Sequence, residues 1–282
     1  MSDPRYPALL RSAHDPPAVL HLRGQLSARP RVAIVGSRAC TRYGREVAFG
    51  LAGDLARRGV SVVSGLARGI DAAAHEGALA VGGDTVAVLP GGLDPVYPAR
   101  HRALARRIAC QGALVAELDP GTPIAPWHFP RRNRIIAGLC EVTVVVEAAS
   151  RSGARITADL ALGYDREVLV VPGPITSRTS VGCHELMAQG AFPCTGVDDI
   201  VAHLRDAELL PFEAPDRQQS TVLDLSSSEA ALLDALRSGN AERLDELAAL
   251  LDLPTAVILV AATSLEIRGL VALLPGNRIQ AR

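Results

Sequence analysis

Residues 31–64 read RVAIVGSRACTRYGREVAFGLAGDLARRGVSVVS. An apolar run, RVAIVG (31–36), is followed by a stretch in which Ala, Leu and Val recur at helical spacing, and then by a second apolar run, VSVVS (60–64). Continuous apolar runs of this length are typical of parallel strands buried on both faces, and the helix between them is the crossover that parallel pairing requires. This β-α-β unit decides the fold class.

The same alternation continues towards the C-terminus. Four more strands are predicted: DTVAVL (84–89), ALVAE (113–117), EVTVVVE (141–147) and EVLVVP (167–172). Helices are predicted near residues 43–58, 70–81, 100–110, 154–163 and 183–190. We therefore expect an α/β domain over residues 31–205, with an extended Rossmann-like, doubly wound, mainly parallel sheet.

The rest of the chain divides into three shorter parts. Residues 1–30 are Pro-rich and form a short N-terminal extension, and residues 206–227 lose the periodicity and are predicted to be a linker. Residues 228–282 are predicted to form a small winged-helix-like module. Its three helices are expected near 227–237, 241–250 and 255–268, followed by a hairpin that turns at Pro275-Gly276-Asn277.

Composition excludes several classes of protein. Of 282 residues, 48% are hydrophobic and 21% charged, so a large core is expected and extensive disorder is not. No apolar run reaches 18 residues and the N-terminus lacks a signal pattern, so we predict a cytoplasmic protein without a membrane segment. The five cysteines have no metal-binding spacing, and we predict neither a metal nor a cofactor.

Charge is balanced overall but uneven along the chain. The 29 basic residues are all arginine, and the formal net charge is -1. Residues 31–210 carry 19 arginines against 18 acidic residues, whereas residues 211–282 carry 6 against 10. The third helix of the module, within PTAVILVAATSLEIRG (254–269), is almost entirely apolar, which favours packing or protein binding over base reading. DNA contact through Arg268 or Arg278 is the weaker alternative.

Glycine, serine and arginine follow several predicted strands at their carboxyl ends, where ligands of parallel sheets bind. Glycine turns and helix N-termini present N–H groups to anions. We expect an anion-binding edge that gathers seven arginines: Arg38, Arg68, Arg131, Arg132, Arg134, Arg151 and Arg155.

Known nucleotide motifs do not fit this edge. The first turn, GSRACTRYG (36–44), lacks the glycine spacing of a dinucleotide site, and no P-loop lysine exists. PGGLDPVYP (90–98) begins like a nucleotide phosphoribohydrolase turn but lacks its later residues, so that enzyme class stays an alternative. Asp71 and His75 are interpreted as a helix cap and a packed or exposed side chain rather than an acid–base site, because no nucleophile accompanies them.

The segment WHFPRRNR (127–134) interleaves aromatic rings with cations. Proteins hold single-stranded nucleic acid in this way, since rings stack on any base and arginines contact phosphates. Trp127 and Phe129 either stack on bases or pin a long loop to the core. For the arginines and Asn133 we favour phosphate contact.

Several motifs together resemble the DNA-processing protein A (DprA/Smf) family. They are VGSR (35–38), SGLARGID (64–71), LPGGLDPVYP (89–98), FPRRNRIIAGL (129–139) and SGARITA (152–158). The resemblance covers roughly residues 31–195, and the winged-helix module also fits that family. It implies a non-catalytic protein of natural transformation (competence). Such a protein binds single-stranded DNA, forms a homodimer and loads the recombinase RecA onto DNA coated by single-strand-binding protein.

The resemblance also implies which positions contact DNA. They are Gly36, Ser37, Arg38, Gly65, Arg68, Arg132, Asn133, Arg134, Ser152, Gly153 and Thr157, to which the residue pattern adds Arg131 and Arg155. Arg155 stands where the family usually has leucine, and His184 where it usually has asparagine. Binding of double-stranded DNA is left open, and a protein-interaction adaptor is a further alternative.

Overall fold

The computed structural model describes residues 3, 5–204, 226–237, 243–267, 270–274, 276 and 278–281. The chain divides into two compact units, Met1–Phe212 and Glu213–Arg282. Most of the predicted linker, up to residue 225, lies outside the described residues.

The first unit is built on one sheet of eight strands. They are β1 His21–Gly24, β2 Arg31–Val35, β3 Ser61–Ser64, β4 Thr85–Leu89, β5 Ala113–Ala116, β6 Val142–Val145, β7 Glu167–Val170 and β8 Phe192–Pro193. Their order is β1-β5-β4-β3-β2-β6-β7-β8, and every neighbouring pair is parallel except β1 with β5. The predicted mainly parallel sheet is confirmed, and its six predicted strands are each one to three residues shorter than expected.

In the described part of the first unit, eight helices accompany the sheet. They are α1 Ala8–Arg11, α2 Arg42–Arg57, α3 Ile70–Ala80, α4 Arg102–Gln111, α5 His128–Leu139, α6 Gly153–Gly163, α7 Val181–Ala188 and α8 Val197–Val201, and a 3-10 turn at Ala99–His101 precedes α4. The five predicted helices are confirmed as α2, α3, α4, α6 and α7.

Both faces of the sheet are covered, as the continuous apolar runs require. Along β2, Ala33 and Val35 pack into the cluster that contains residues of α5 and α6, whereas Val32 and Ile34 pack against α2 and α3. Helices α2 and α3 touch closely, because a Cβ at Gly77 would lie 2.1 Å from the Phe49 carbonyl oxygen.

Two elements differ from the expectation. The segment interpreted as a long loop contains a helix, α5, which begins at His128 and has Pro130 in its first turn, where a missing N–H breaks no helical bond. The N-terminal extension contributes a strand, since His21 and Gly24 of β1 lie opposite Ala116 and Ala113 of β5. Strand β1 therefore extends the sheet at one edge.

The second unit contains the predicted three helices and hairpin. Helices α9 Ser227–Arg237, α10 Leu244–Leu251 and α11 Thr255–Ile267 precede strands β9 Val271–Leu274 and β10 Arg278–Ala281. Gly276 has a φ of +83°, as a hairpin turn requires, while Pro275, Asn277 and Arg268 lie outside the described residues. Helix α11 leaves Leu259 and Val260 exposed.

Among the described residues no single helix is long and apolar enough to cross a membrane. One bent pair, Leu244–Leu251 with Thr255–Glu266, meets the criterion by length and composition only.

Candidate nucleic-acid interface

The strand order reverses between β2 and β6, and the connections that leave these two strands diverge there, which opens a crevice at the carboxyl edge of the sheet. A cavity of about 360 Å³ occupies this position. Its walls bring together nine residues that the sequence singled out: Gly36, Ser37, Arg38, Phe129, Arg132, Asn133, Ser152, Gly153 and Thr157.

A second cavity of about 50 Å³ adjoins the first, since Arg38, Ala67, Phe129 and Arg132 line both. It adds two more predicted residues, Gly65 and Arg68, and the ring of Tyr97. We call the two cavities together the groove. The groove runs along the carboxyl edge of the sheet from the β2–β6 crevice across β3 and β4.

The turn after β2 is held by a buried carboxylate that sequence analysis missed. Glu147, just after β6, accepts hydrogen bonds from the Thr41 N–H at 2.9 Å and the Thr41 hydroxyl at 2.5 Å. Thr41 in turn caps α2 by accepting the Gly44 N–H at 3.1 Å. A Cβ at Gly36 would lie 2.6 Å from Ile70, so only glycine fits this start of the turn. A lone acid after an apolar strand gives no sequence signal for such a role.

The loop after β3 is organised by Asp71. Its carboxylate accepts the N–H groups of Gly65 at 3.1 Å and Ala67 at 3.2 Å. Burial raises the pKa of Asp71, and the nearby Arg132 guanidinium opposes that shift. Gly69 has a φ of +79° and passes so close to the Ser37 carbonyl that a Cβ would lie 2.2 Å from it.

Arg132, which is predicted to contact phosphate, connects the loop after β3 to strand β4. It is 5% exposed, and its Nη1 donates to the carbonyl oxygens of Gly65 at 2.6 Å and Val88 at 2.5 Å. Burial lowers the pKa of Arg132 to about 10, an effect that Asp71 partly offsets. The neighbouring Asn133 donates from Nδ2 to the Gly153 carbonyl at 3.1 Å, which joins α5 to the start of α6.

Arg131 and Arg134, also predicted to bind DNA, pair with one carboxylate. Arg131 Nη2 lies 2.9 Å from Glu117 Oε1, and Arg134 Nη2 lies 2.6 Å from the same oxygen. Arg134 also donates to the Asp15 carbonyl oxygen. Neither arginine lines the groove.

Arg155 is the third of the predicted DNA-contacting arginines that forms an ion pair. Its guanidinium pairs with Glu185 of α7, and it does not line the groove. Its charge is thus offset by an acid that lies 30 residues further along the chain. The seven arginines therefore do not all converge on the groove: Arg131, Arg134 and Arg155 form ion pairs outside it and Arg132 is buried, while contact of these residues with DNA stays a prediction.

Three of the seven cations remain exposed and unpaired within the described part of the chain. They are Arg38, Arg68 and Arg151. Arg38 lines both cavities and Arg68 lines the second. An exposed guanidinium without an acidic partner keeps its full charge for a ligand.

The two aromatic residues of the α5 segment have different surroundings. Phe129 lies in the groove, where the Arg38 guanidinium carbon is 4.9 Å from its ring centre and the Tyr97 ring meets it edge-on at 5.7 Å. Trp127 is 60% exposed and lines neither cavity. Of the two, only Phe129 is placed to meet a base in the groove.

His75 is packed in the core, which is one of the two placements that the sequence left open. Its Nδ1 lies 2.7 Å from the Thr85 hydroxyl, which donates to the Val62 carbonyl, so Nδ1 carries the hydrogen. Burial lowers the pKa of His75 to about 3. Within the described ranges, no group of three or more His, Cys, Asp or Glu side chains is placed to hold a metal ion.

Comparisons with known sequences agree over both units. A family model described as DNA recombination-mediator protein A matches residues 1–205, and one described as DprA winged helix domain matches residues 214–277. DNA processing protein DprA of Mycobacterium tuberculosis is 46% identical over 243 residues, which span 86% of this chain and 62% of that protein. Protein Smf of Escherichia coli is 39% identical over 98% of this chain and 75% of its own length.

Solved structures give the same result. The X-ray structure of DNA processing protein A from Streptococcus pneumoniae matches with a TM-score of 0.69 at 41% identity, covering 72% of each chain. The Helicobacter pylori protein, whose structure concerns its single-stranded DNA binding mode, matches with a TM-score of 0.64 at 30% identity, covering 70% of this chain and 91% of that one. Motifs, fold and family match together show that this chain belongs to the DNA recombination-mediator protein A (DprA/Smf) family.

Proposed function

We propose that this chain binds single-stranded DNA in the groove and holds it without cutting it. The observation that carries the proposal is the position of Arg38, which lies 4.9 Å from the Phe129 ring centre, lines both cavities and has no acidic partner among the described residues. A cation beside an aromatic face provides one contact for a phosphate and one for an unpaired base.

Backbone groups add a second anion contact. The first N–H groups of a helix have no partner within it, and the helix dipole favours negative charge there. At the start of α6, Ser152 Oγ accepts the Arg155 N–H at 3.4 Å. The N–H groups of Gly153 and Ala154, which line the cavity, are thus left for a phosphate.

We also propose that the chain has no catalytic activity on DNA. Asp71 is the one acid that lines the first cavity, and its carboxylate already accepts two N–H groups at 3.1 and 3.2 Å. Glu147, behind the β2 turn, is bound to Thr41. Neither carboxylate is free to activate a water molecule or a nucleophile.

The finer role follows from the family. The Helicobacter pylori relative has a described single-stranded DNA binding mode, which supports the same ligand here. We propose that the chain is a cytoplasmic homodimer that loads RecA onto DNA covered by single-strand-binding protein during natural transformation. Acceleration of RecA filament formation on such covered DNA would support this role, and no acceleration would refute it without affecting the DNA-binding proposal.

Fluorescence anisotropy with labelled dT30 and a 30-base-pair duplex tests the ligand. Binding of dT30 should be tighter than duplex binding, because a paired base cannot stack on Phe129. A plot of the logarithm of the association constant against the logarithm of salt concentration should have a negative slope of about 0.7 per phosphate contacted. Equal affinity for the two DNAs, or binding that salt does not weaken, would contradict the proposal.

A further inference from the structure

We propose that a row of arginines beside the groove, Arg100, Arg102 and Arg106, binds phosphates of the same DNA strand where it leaves the groove. We call these three residues the α4 row. The inference rests on the proposed function, and it extends the bound strand from the carboxyl edge of the sheet onto helix α4.

The α4 row is a concentration of unbalanced charge. Residues 95–116 contain four arginines and no acidic residue. The members of the row are all exposed, and none has an ion pair or side-chain hydrogen bond within the described residues. On α2, by contrast, Arg42 pairs with Glu46 and Arg57 with Asp54. The row therefore keeps its charge, whereas Arg42 and Arg57 are offset by acidic neighbours.

The positions of these arginines make helix α4 less stable. Arg102 is the first residue of α4, where the helix dipole disfavours a cation. Arg106 follows four residues later, so the two guanidinium groups lie on the same exposed side and repel each other. The opposite side of α4 is buried through Leu104 and Ile108, which fixes the row outward. A bound polyanion would remove both unfavourable effects.

The row begins where the groove ends. Tyr97 and Pro98 line the second cavity, and the 3-10 turn Ala99–His101 follows directly. His101 Nδ1 lies 2.8 Å from the Leu66 carbonyl oxygen, which anchors this turn to the loop that carries Arg68. A strand that passes Arg38 and Arg68 therefore meets Arg100 and Arg102 next. This continuity favours the DNA strand itself over a separate acidic partner.

A double variant and a control test the row. Arg102→Ala/Arg106→Ala removes two members, and the control Arg29→Ala removes an exposed arginine that has no ion pair among the described residues, near the opposite edge of the sheet, where β2 begins. Anisotropy with dT30 is measured for both between 50 and 200 mM NaCl. In the row variant, the slope of log association constant against log salt concentration should be smaller by about 1.4 than in the parent. Between 50 and 200 mM NaCl, salt should therefore weaken binding by the variant about sevenfold less than binding by the parent. The control should keep the slope of the parent.

The length of DNA provides a second readout. Affinity of the parent should continue to rise as dT6 is lengthened to dT30, and the row variant should reach its plateau at a shorter length. If the row variant matches the control in slope and in plateau length, the inference is wrong. Arg38→Ala separates failure of this inference from failure of the proposed function. Weaker dT6 binding by that variant would support DNA binding in the groove, whatever the result for the row. Unchanged binding of both dT6 and dT30 would refute the proposed function as well.

Discussion

Replacing Gly65 with alanine should destabilise the first unit and weaken DNA binding together. A Cβ at this position would lie 2.0 Å from Arg132 Nη1 and 2.5 Å from Nη2, whereas non-bonded atoms pack at about 3.5–4.0 Å. The guanidinium must move, and it is buried beneath the groove with its Nη1 bound to the carbonyls of Gly65 and Val88. Its displacement therefore breaks hydrogen bonds that the site cannot replace.

The magnitude follows from those two bonds. A hydrogen bond from a charged group contributes about 1.5–3 kcal/mol, so loss of one bond and weakening of the other should lower the free energy of unfolding by about 2–4 kcal/mol. The displaced guanidinium would also intrude below Arg38 and Phe129, which should weaken dT30 binding severalfold. Urea denaturation followed by circular dichroism measures the first effect, and anisotropy measures the second.

The control is another glycine to alanine change. Gly50 lies within α2 and is exposed, and no atom lies within 4 Å of the point that an added Cβ would occupy, so Gly50→Ala should stabilise the protein by about 0.5–1 kcal/mol. The two substitutions should thus have opposite signs. If Gly65→Ala is as stable as the parent and binds dT30 equally well, Arg132 does not hold the groove in the way described.

Three further outcomes are expected. Because burial lowers the pKa of His75 to about 3 while the unfolded chain titrates near 6.5, stability is present above pH 6.5 and is lost as pH falls, by about 3 kcal/mol at pH 4. Urea denaturation above pH 6.5 and at pH 4 tests this, and an equal loss of stability in the His75→Leu variant would contradict it. Arg155→Leu should leave the salt slope of dT30 binding nearly unchanged, because Glu185 already offsets that charge; a fall of about 0.7 would show a direct phosphate contact. Iodoacetamide at pH 8 should label exposed Cys110 long before Cys183, since burial raises the pKa of Cys183 to about 11, and equally fast labelling would refute that assignment.

The sheet was predictable because its physical requirement is simple. Strands covered on both faces need unbroken apolar runs, and runs such as RVAIVG and VSVVS have few other uses. Helix α5 was not predictable in the same way, since Pro130, which lies in its first turn, is also typical of loops. Strand β1 has four residues, HLRG, with no apolar run, and only its pairing with β5 defines it.

The groove was predictable in position and only partly in charge. Chain order alone places the residues that follow parallel strands at one edge, which is why Gly36, Arg38 and Gly153 meet. Ion pairs depend on side chains from distant segments, and no local pattern shows that Glu117 pairs with both Arg131 and Arg134 or that Asp15 also pairs with Arg134. The sequence therefore overestimated the number of free cations.

According to the proposed function, the unpaired arginines of the groove, rather than all arginines of the α5 region, bind the DNA strand. Comparing the salt dependence of dT30 binding for Arg38→Ala and Arg131→Ala tests it most directly, because each variant removes one charge. Arg38→Ala should lower the slope by about 0.7 and weaken binding, whereas Arg131→Ala should change it much less, since Glu117 and Asp15 together offset the charges of Arg131 and Arg134. Equal effects, or a larger effect of Arg131→Ala, would contradict the account.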